Sequence, residues 1–240
     1  MLPLTLPQNP SNPLKVLCLG AHSDDIEIGC GGTILHLLSS HRNLDVVWVV
    51  FSSGRERERE ARTSAALFLK HAKRKKVIVK NFSRWFLPLR GKEDQGFFEE
   101  IKESIGPDLI FTHYRSDRHQ DHRTISDLTW NTWRRHLILE YEIPKYDGDL
   151  GSPNCFVPLT RQICSRKTKY ICDVFQTQSN KNWLTEDTFQ AMLRLRGVEC
   201  AEPYAEAFYC RKLIFGTEPR LAADGTRARG RASGDASRSG

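Results

Sequence analysis

Short apolar runs alternate with helical patterns through the first 135 residues of this chain, and this alternation is what most constrains the fold. Each run is continuous in apolar character, as is typical of parallel strands that are covered on both faces. The predicted strands are residues 15–20, 45–51, 76–80 and 108–112. A strand followed by a helix, four times over, predicts an α/β fold with a mainly parallel sheet and right-handed crossovers.

Helical patterns fill the segments between these runs. They are predicted at residues 33–40, from residue 57 onward, at 97–105 and at 122–135, with a turn at Gly29, Gly31 and Gly32 before the first. The pattern weakens after about residue 144. A short apolar segment at 156–159 and helical stretches near 162–176 and 186–196 then predict a small C-terminal cap on the same domain.

A chain of 240 residues is short enough for one hydrophobic core. We therefore predict a single domain over residues 1–216. Residues 217–240 are predicted to form a disordered tail, because they are rich in Gly, Ser, Ala and Arg and contain no aromatic residue.

Composition excludes several classes of protein. The net charge of +7 includes +2 from residues 221–240, and no aromatic side chains interleave the basic residues, so nucleic acid is not expected as a partner. No apolar run is long enough for a transmembrane helix, and the N-terminus does not have the pattern of a secretory signal. Seven cysteines without a close CxxC pair argue against a disulfide framework. We expect a cytoplasmic protein, and the sequence leaves open whether it forms a homo-oligomer.

Histidines and carboxylates cluster directly after two of the predicted strands. The letters AHSDD occupy residues 21–25, after the first strand, and HQDH occupies residues 119–122, after the fourth. The carboxyl ends of the strands are where open α/β sheets bind ligands, so the two clusters should share one site. The alternative is structural: a loop histidine, a turn-forming Asp pair and a solvated helix start.

The residue types favour a metal at that site. Zinc binds imidazole nitrogen and carboxylate oxygen, and a catalytic zinc keeps three protein ligands and one open position. His22, Asp25 and His122 are the expected ligands. Zn2+ is the expected ion, with Fe2+ or another divalent metal as the alternative, since availability matters as well as affinity.

Three further residues remain for acid–base chemistry. Asp24 would lie beside the activated water and act as general base. His119 could stabilise an oxyanion or protonate a leaving amine. We predict that Asp121 orients the imidazole of His119.

These motifs resemble those of the LmbE/PIG-L-like deacetylases. Residues 21–33, AHSDDIEIGCGGT, are similar to the AHPDD…GGT opening of that family, and residues 119–122 are similar to its HxDH motif. The Arg57-x-x-Glu60 pair and the AEAF segment at 205–208 resemble looser family features. The resemblance extends over about residues 14–215.

The resemblance implies a Rossmann-like fold and zinc-dependent hydrolysis of an N-acetyl group, typically on an N-acetylglucosamine-containing small molecule. By position it implies the metal ligands His22, Asp25 and His122, the general base Asp24 and the electrophile His119. Ser23 stands where the family usually has proline, a change that loosens the loop and removes no reactive group.

Substrate-binding residues are harder to predict. Arg57 is one candidate, with a solvated helix face as the alternative. Residues 140–149, EYEIPKYDGD, are predicted to form a lid over the substrate, because tyrosines and acids suit a sugar rich in hydroxyl groups. Tyr141 and Tyr146 would reach into the pocket from it, or else serve in packing.

Other functions remain open from the sequence. The enzyme could be a zinc amidase or deacylase acting on a non-sugar amide, or on a sugar carried by a nucleotide or lipid. A catalytically silent ligand-binding protein with the same fold is a second class, although such a protein has no need of Asp24 and His119. The glycines at 29–32 lack the GxGxxG spacing of a dinucleotide site.

Overall fold

A computed structural model gives the fold of this chain. It describes residues 1–7, 9, 11–41, 43–81 and 91–216, with the side chains of 91–95 left aside. The predicted tail at 217–240 lies outside the described residues. None of the helices within the described ranges has the length and apolar character required to cross a membrane.

The described strands form one seven-stranded sheet. They are β1 (Leu14–Gly20), β2 (Leu44–Val50), β3 (Arg74–Val79), β4 (Leu109–His113), β5 (Leu137–Tyr141), β6 (Cys155–Pro158) and β7 (Ala205–Cys210). Their order in the sheet is β3-β2-β1-β4-β5-β7-β6. The first five pair in parallel, whereas β7 is antiparallel to both β5 and β6. The predicted α/β fold with a mainly parallel sheet is confirmed.

Helices cover both faces of the sheet. They are α1 (Asp25–Ser40), α2 (Arg55–Phe68), α3 (Gly91–Ser104), α4 (Gln120–Thr132), α5 (Arg161–Val174) and α6 (Glu186–Glu199). Side chains of α1, α2, α5 and α6 pack against one face, and those of α3 and α4 against the other. In β1 the alternation is direct: Cys18 packs on the first face and Leu17 on the second. The C-terminal part therefore adds two strands to the sheet and two helices to the α1 side.

The glycine-rich segment is helical, which corrects the predicted turn. Helix α1 begins at Asp25, eight residues before the predicted start, and includes Gly29, Gly31 and Gly32. The glycines allow close packing: a Cβ at Gly31 would lie 2.6 Å from Phe68 Cε1, and one at Gly32 would lie 2.6 Å from Leu159 Cδ1. Glycine is needed here for contact between elements rather than for a change of chain direction.

Strand β5 was not predicted, and its position corrects two sequence assignments. The predicted helix ran to residue 135, whereas α4 ends at Thr132, and β5 includes the first two residues of the predicted lid, which began at residue 140. Glu140 obscured the strand, because a carboxylate in a fully buried strand is rare. Its oxygens are satisfied by Trp130 Nε1 at 2.7 Å and by the guanidinium of Arg211 at 2.5 and 2.8 Å.

A buried ion pair attaches β7 to the middle of α1. Glu206 accepts from the backbone N–H groups of Gly32 and Thr33 at 2.8 and 2.6 Å. Lys167 of α5 donates to Glu206 Oε1 and to the carbonyl of Ile28, both at 2.6 Å. These bonds satisfy main-chain groups of α1 and fix the helix whose first residues enter the site.

Replacing Gly29 with Ala is expected to destabilise the fold by about 1–3 kcal/mol, the usual cost of overpacking. The new Cβ would lie 2.1 Å from Tyr141 Cδ2. That ring cannot move freely, because its hydroxyl donates to the carbonyl of Leu19 at 2.6 Å. Chemical denaturation of the metal-free protein measures the loss.

Gly96→Ala is the matched control for this substitution. No atom of the described residues lies within 4 Å of a Cβ at Gly96, which is in α3. Alanine there should leave stability unchanged or raise it by up to about 1 kcal/mol through helix propensity. Equal stabilities of the two variants would contradict the packing role of Gly29.

Candidate metal centre

The two motif segments meet at the carboxyl ends of β1 and β4, which are adjacent in the sheet. The chain moves outward in opposite directions from this pair, so the site lies at the topological switch point where α/β sheets bind ligands. His22 and Asp24 lie between β1 and α1, Asp25 is the first residue of α1, and His122 is in the first turn of α4. The predicted convergence of the two clusters is what the structure shows.

The three predicted metal ligands face one another. His22 Nδ1 lies 3.3 Å from His122 Nε2 and 3.4 Å from Asp25 Oδ2. The other oxygen of Asp25, Oδ1, lies 3.5 Å from His122 Nε2. Ligand atoms placed about 2.0–2.2 Å from a tetrahedral zinc are separated by about 3.3–3.6 Å. The spacing and the donor types therefore fit a zinc-sized cation.

A carboxylate holds the far nitrogen of each imidazole. Asp121 Oδ2 lies 3.1 Å from His22 Nε2, and Asp117 Oδ2 lies 2.9 Å from His122 Nδ1. A proton on each of those nitrogens leaves His22 Nδ1 and His122 Nε2 with free lone pairs. Carboxylate–imidazole pairs of this kind commonly fix the ring and tautomer of a metal-binding histidine.

The placement of Asp121 corrects one prediction. Its carboxylate was expected to orient His119, but it contacts His22 instead. Only its backbone N–H reaches His119, donating to Nδ1 at 3.2 Å. The reason is geometric: as the second residue of α4, Asp121 presents its N–H to the residue that caps the helix, while its side chain points back toward β1.

The carboxylates and imidazoles of the site stabilise each other's charged forms. Burial would lower the pKa of His22, but the carboxylates of Asp25 and Asp121 raise it to about 10. Burial would raise the pKa of Asp25, but the imidazoles of His122, His113 and His22 hold it well below its usual range. Asp25 is thus anionic where a cation would bind.

Asp24 is next to this cluster and differs from Asp25 in its surroundings. Its side chain is buried, and Oδ1 accepts from Arg57 Nη2 at 2.8 Å. Burial raises the pKa of Asp24, and the guanidinium of Arg57 opposes that rise. A carboxylate with a raised pKa beside a metal site is suited to accept a proton.

Arg57 lies on α2 with its side chain only 16% exposed. Besides Asp24, it faces the side-chain amide of Gln178, whose oxygen accepts from the guanidinium at 2.6–2.9 Å when turned toward it. The alternative of a solvated helix face does not describe this residue. Its role toward a substrate stays a prediction.

His119 is half-buried and adjoins both proposed histidine ligands. Its ring centroid lies 4.8 Å from that of His22 and 4.6 Å from that of His122. Because Nδ1 accepts from the N–H of Asp121, the proton of the neutral ring is on Nε2. Burial lowers the pKa of His119, and the charges of His122 and His22 lower it further, so the neutral donor form is favoured.

Sequence reasoning missed His113 and Asp117. His113 is the last residue of β4, is fully buried, and accepts from the N–H of Ala21 at 3.0 Å through Nε2. The same Nε2 lies 3.2 Å from Asp25 Oδ2, and burial is the main cause that lowers the pKa of His113 to about 4. The signal that could have found both residues is their place between the fourth strand and the HQDH motif.

The two tyrosines of the predicted lid have different positions. Tyr141 is fully buried in β5, with its hydroxyl 3.2 Å from His113 Nε2, and so belongs to the core rather than to a lid. This placement leaves it no exposed surface for a substrate. Tyr146 is 68% exposed, and its hydroxyl accepts from the N–H of Asn182 at 3.4 Å.

Known proteins share both the sequence pattern and the fold. A curated relative, the uncharacterized deacetylase YaiS of Escherichia coli K12, is 29% identical over 142 residues, which cover 54% of this chain and 74% of YaiS. Among solved structures, N,N'-diacetylchitobiose deacetylase from Pyrococcus horikoshii matches with a TM-score of 0.64 and 21% identity, over 82% of this chain and 84% of its own.

A second similar structure has another activity. GalB of Pseudomonas putida KT2440, a 4-carboxy-2-hydroxymuconate hydratase, matches with a TM-score of 0.67 and 15% identity, over 87% of this chain and 99% of its own. At these identities the likeness between structures establishes the fold alone.

The family comparison covers the segment that carries every predicted catalytic and metal-binding residue. Residues 17–133 match the family model described as PIG-L: GlcNAc-PI de-N-acetylase. This match confirms the resemblance to the PIG-L (LmbE-like) deacetylases over the segment that contains both sequence motifs.

Proposed function

We propose that this chain is a metal-dependent N-deacetylase that hydrolyses the acetamide of an N-acetylglucosamine-containing or related amino sugar. The observation that carries the proposal is the pair of imidazoles at 3.3 Å, each held by its own carboxylate, with Asp25 beside them. The family match supports deacetylation as the reaction.

His22, Asp25 and His122 would hold the metal, for which Zn2+ is our first choice and Fe2+ or another divalent ion the alternative. Such an ion supplies Lewis acidity, which polarises the amide carbonyl and makes water a nucleophile at neutral pH. The mixed set of nitrogen and oxygen donors suits several divalent ions, so metal content must be measured rather than assumed.

Asp24 would move the proton, and His119 would stabilise the negative charge. Asp24 takes a proton from the attacking water on Oδ2, because Oδ1 is engaged by Arg57. His119 keeps its proton and donates a hydrogen bond from Nε2 to the carbonyl oxygen as negative charge develops there. The proton on Asp24 then passes to the nitrogen of the breaking amide bond, giving acetate and a free amine.

The proposed substrate-binding side chains are polar, as a ligand rich in hydroxyl groups requires. Arg57 and Tyr146 are our proposed substrate-binding residues, since a guanidinium and an exposed phenol both bond to sugar hydroxyls. Tyr141 is no longer a candidate because it is buried. The non-sugar amide and the silent binding protein remain as alternatives to be tested.

Product analysis tests the proposal. The metal-loaded chain is incubated with N-acetylglucosamine, N,N'-diacetylchitobiose and an N-acetyl amino acid, and acetate and free amine are measured together. We expect equal amounts of both products from at least one amino sugar, loss of activity with a chelator and recovery when metal is added back.

The other outcomes separate the alternatives. Products from the N-acetyl amino acid alone would indicate an amidase acting on non-sugar substrates. Metal bound at one ion per chain with no product from any compound would support the silent binding protein. A chain that binds no divalent metal would overturn the proposed mechanism.

A further inference from the structure

One ammonium group lies behind the metal centre, between two buried carboxylates. Lys145 is in the connection between β5 and β6, and its side chain is only 10% exposed. Its Nζ lies 3.0 Å from Asp117 Oδ2 and 2.7 and 2.5 Å from the two oxygens of Asp149. The side chains of Asp117 and Asp149 are 2% and 6% exposed, so little water screens these charges.

Both carboxylates hold the segment that leads into α4 and the second motif. Asp117 Oδ2 also faces His122 Nδ1 at 2.9 Å, and Asp117 Oδ1 accepts from the N–H of His119 at 2.7 Å. Asp149 Oδ2 accepts from the N–H of Arg118, also at 2.7 Å. The loop before α4 is therefore held in place by two acids that share one cation.

We propose that Lys145 is a positioning residue for the metal centre, acting through Asp117 on the imidazole of His122. The inference rests on the proposed function in that it takes His122 to be a metal ligand. Without the ammonium, Asp117 Oδ2 would lose the cation that it contacts at 3.0 Å, and Asp149 would repel it at short range in a poorly solvated place. Asp117 Oδ2 would then move from His122 Nδ1, and the ring would lose its fixed direction.

Zinc affinity measured by competition with a chelator of known affinity tests this chain of contacts. The variants are Lys145→Met, Asp117→Asn and the double variant. We expect Asp117→Asn to weaken zinc binding about 10–100-fold and Lys145→Met to weaken it about 10-fold, as is usual for partners of a metal ligand. The double variant should bind no more weakly than Asp117→Asn, because Lys145 acts through Asp117.

A purely structural role would give a different result. Lys145→Met would then lower the thermal stability of the metal-free protein, while the folded protein would bind zinc with unchanged affinity. That outcome would overturn the proposal. Tighter zinc binding by Lys145→Met would overturn it too, as would a double variant in which the losses of zinc affinity from the two single variants simply add. Lys169→Met is the matched control, since Lys169 forms a surface pair with Asp173 at 2.8 Å, and it should bind zinc like the wild type.

A second variant covers the case in which Lys145→Met does not fold. Lys145→Met/Asp149→Asn removes one positive and one negative charge, so the buried carboxylates no longer repel, yet Asp117 still lacks its cation. We expect weaker zinc binding here too, and wild-type affinity would overturn the inference. If the wild type itself binds no zinc, it is the proposed function that fails.

Discussion

Asp24→Asn is expected to lower kcat for acetate release by about 10²–10⁴-fold, the range supplied by a positioned general base. The amide of Asn keeps the size of the side chain and an oxygen that can accept from Arg57, so the 2.8 Å contact can survive. It cannot take a proton from water. Bound metal should stay at the wild-type level, because Asp24 is not among our proposed ligands. Steady-state kinetics and elemental mass spectrometry measure the two quantities on one preparation.

The pairing of these two readouts makes the result specific. Asp45→Asn removes a carboxylate from β2 that lies 3.8 Å from Arg74 at the protein surface, and it should leave both activity and metal unchanged. Loss of metal from Asp24→Asn would move Asp24 into the ligand set. Near-normal turnover with metal bound would show that another group accepts the proton.

The fold could be predicted from the sequence where a segment is apolar throughout. It could not be predicted where contacts between residues distant in the chain determine the structure. The continuous apolar runs of β1, β2 and β4 are visible in the sequence because parallel strands buried on both faces need apolar residues throughout. Strand β5 contains Glu140, and β7 contains Glu206. Each acid is buried and satisfied by groups distant in the chain, such as Lys167 for Glu206, and no local pattern reveals such partners.

The site was predictable to the extent that its residues follow strand ends. That rule places His22, Asp25 and His122 together from the sequence, and their mutual distances agree with it. The partners of those residues were not predictable. Whether Asp121 faces His119 or His22 depends on the orientation of α4 relative to β1, which periodicity does not give. Asp117 lies in a loop of no regular pattern.

His122→Ala is expected to weaken metal binding by more than about 100-fold and to abolish deacetylation. The expected loss of affinity exceeds the usual effect of removing a residue that only hydrogen-bonds to a metal ligand. The imidazole supplies one of three proposed ligand atoms, and its Nε2 lies 3.3 Å from His22 Nδ1. Its loss also leaves Asp117, a buried carboxylate, without the donor at 2.9 Å. Metal content and zinc affinity measure the first effect, and acetate release the second.

The matched control and the contrast with Asp24 decide what this loss means. His71→Ala removes an exposed histidine far along the chain from the site and should change neither quantity. Removal of a metal ligand releases the metal, whereas removal of the general base leaves it bound. His122→Ala should therefore lose metal and activity together, and Asp24→Asn should lose activity alone. If His122→Ala kept its metal, a set of His22, Asp25 and His113 would have to hold the ion, since His113 Nε2 also lies 3.2 Å from Asp25 Oδ2. The hydrogen bond from Ala21 to His113 Nε2 argues against that set, since it occupies the lone pair that a metal would need.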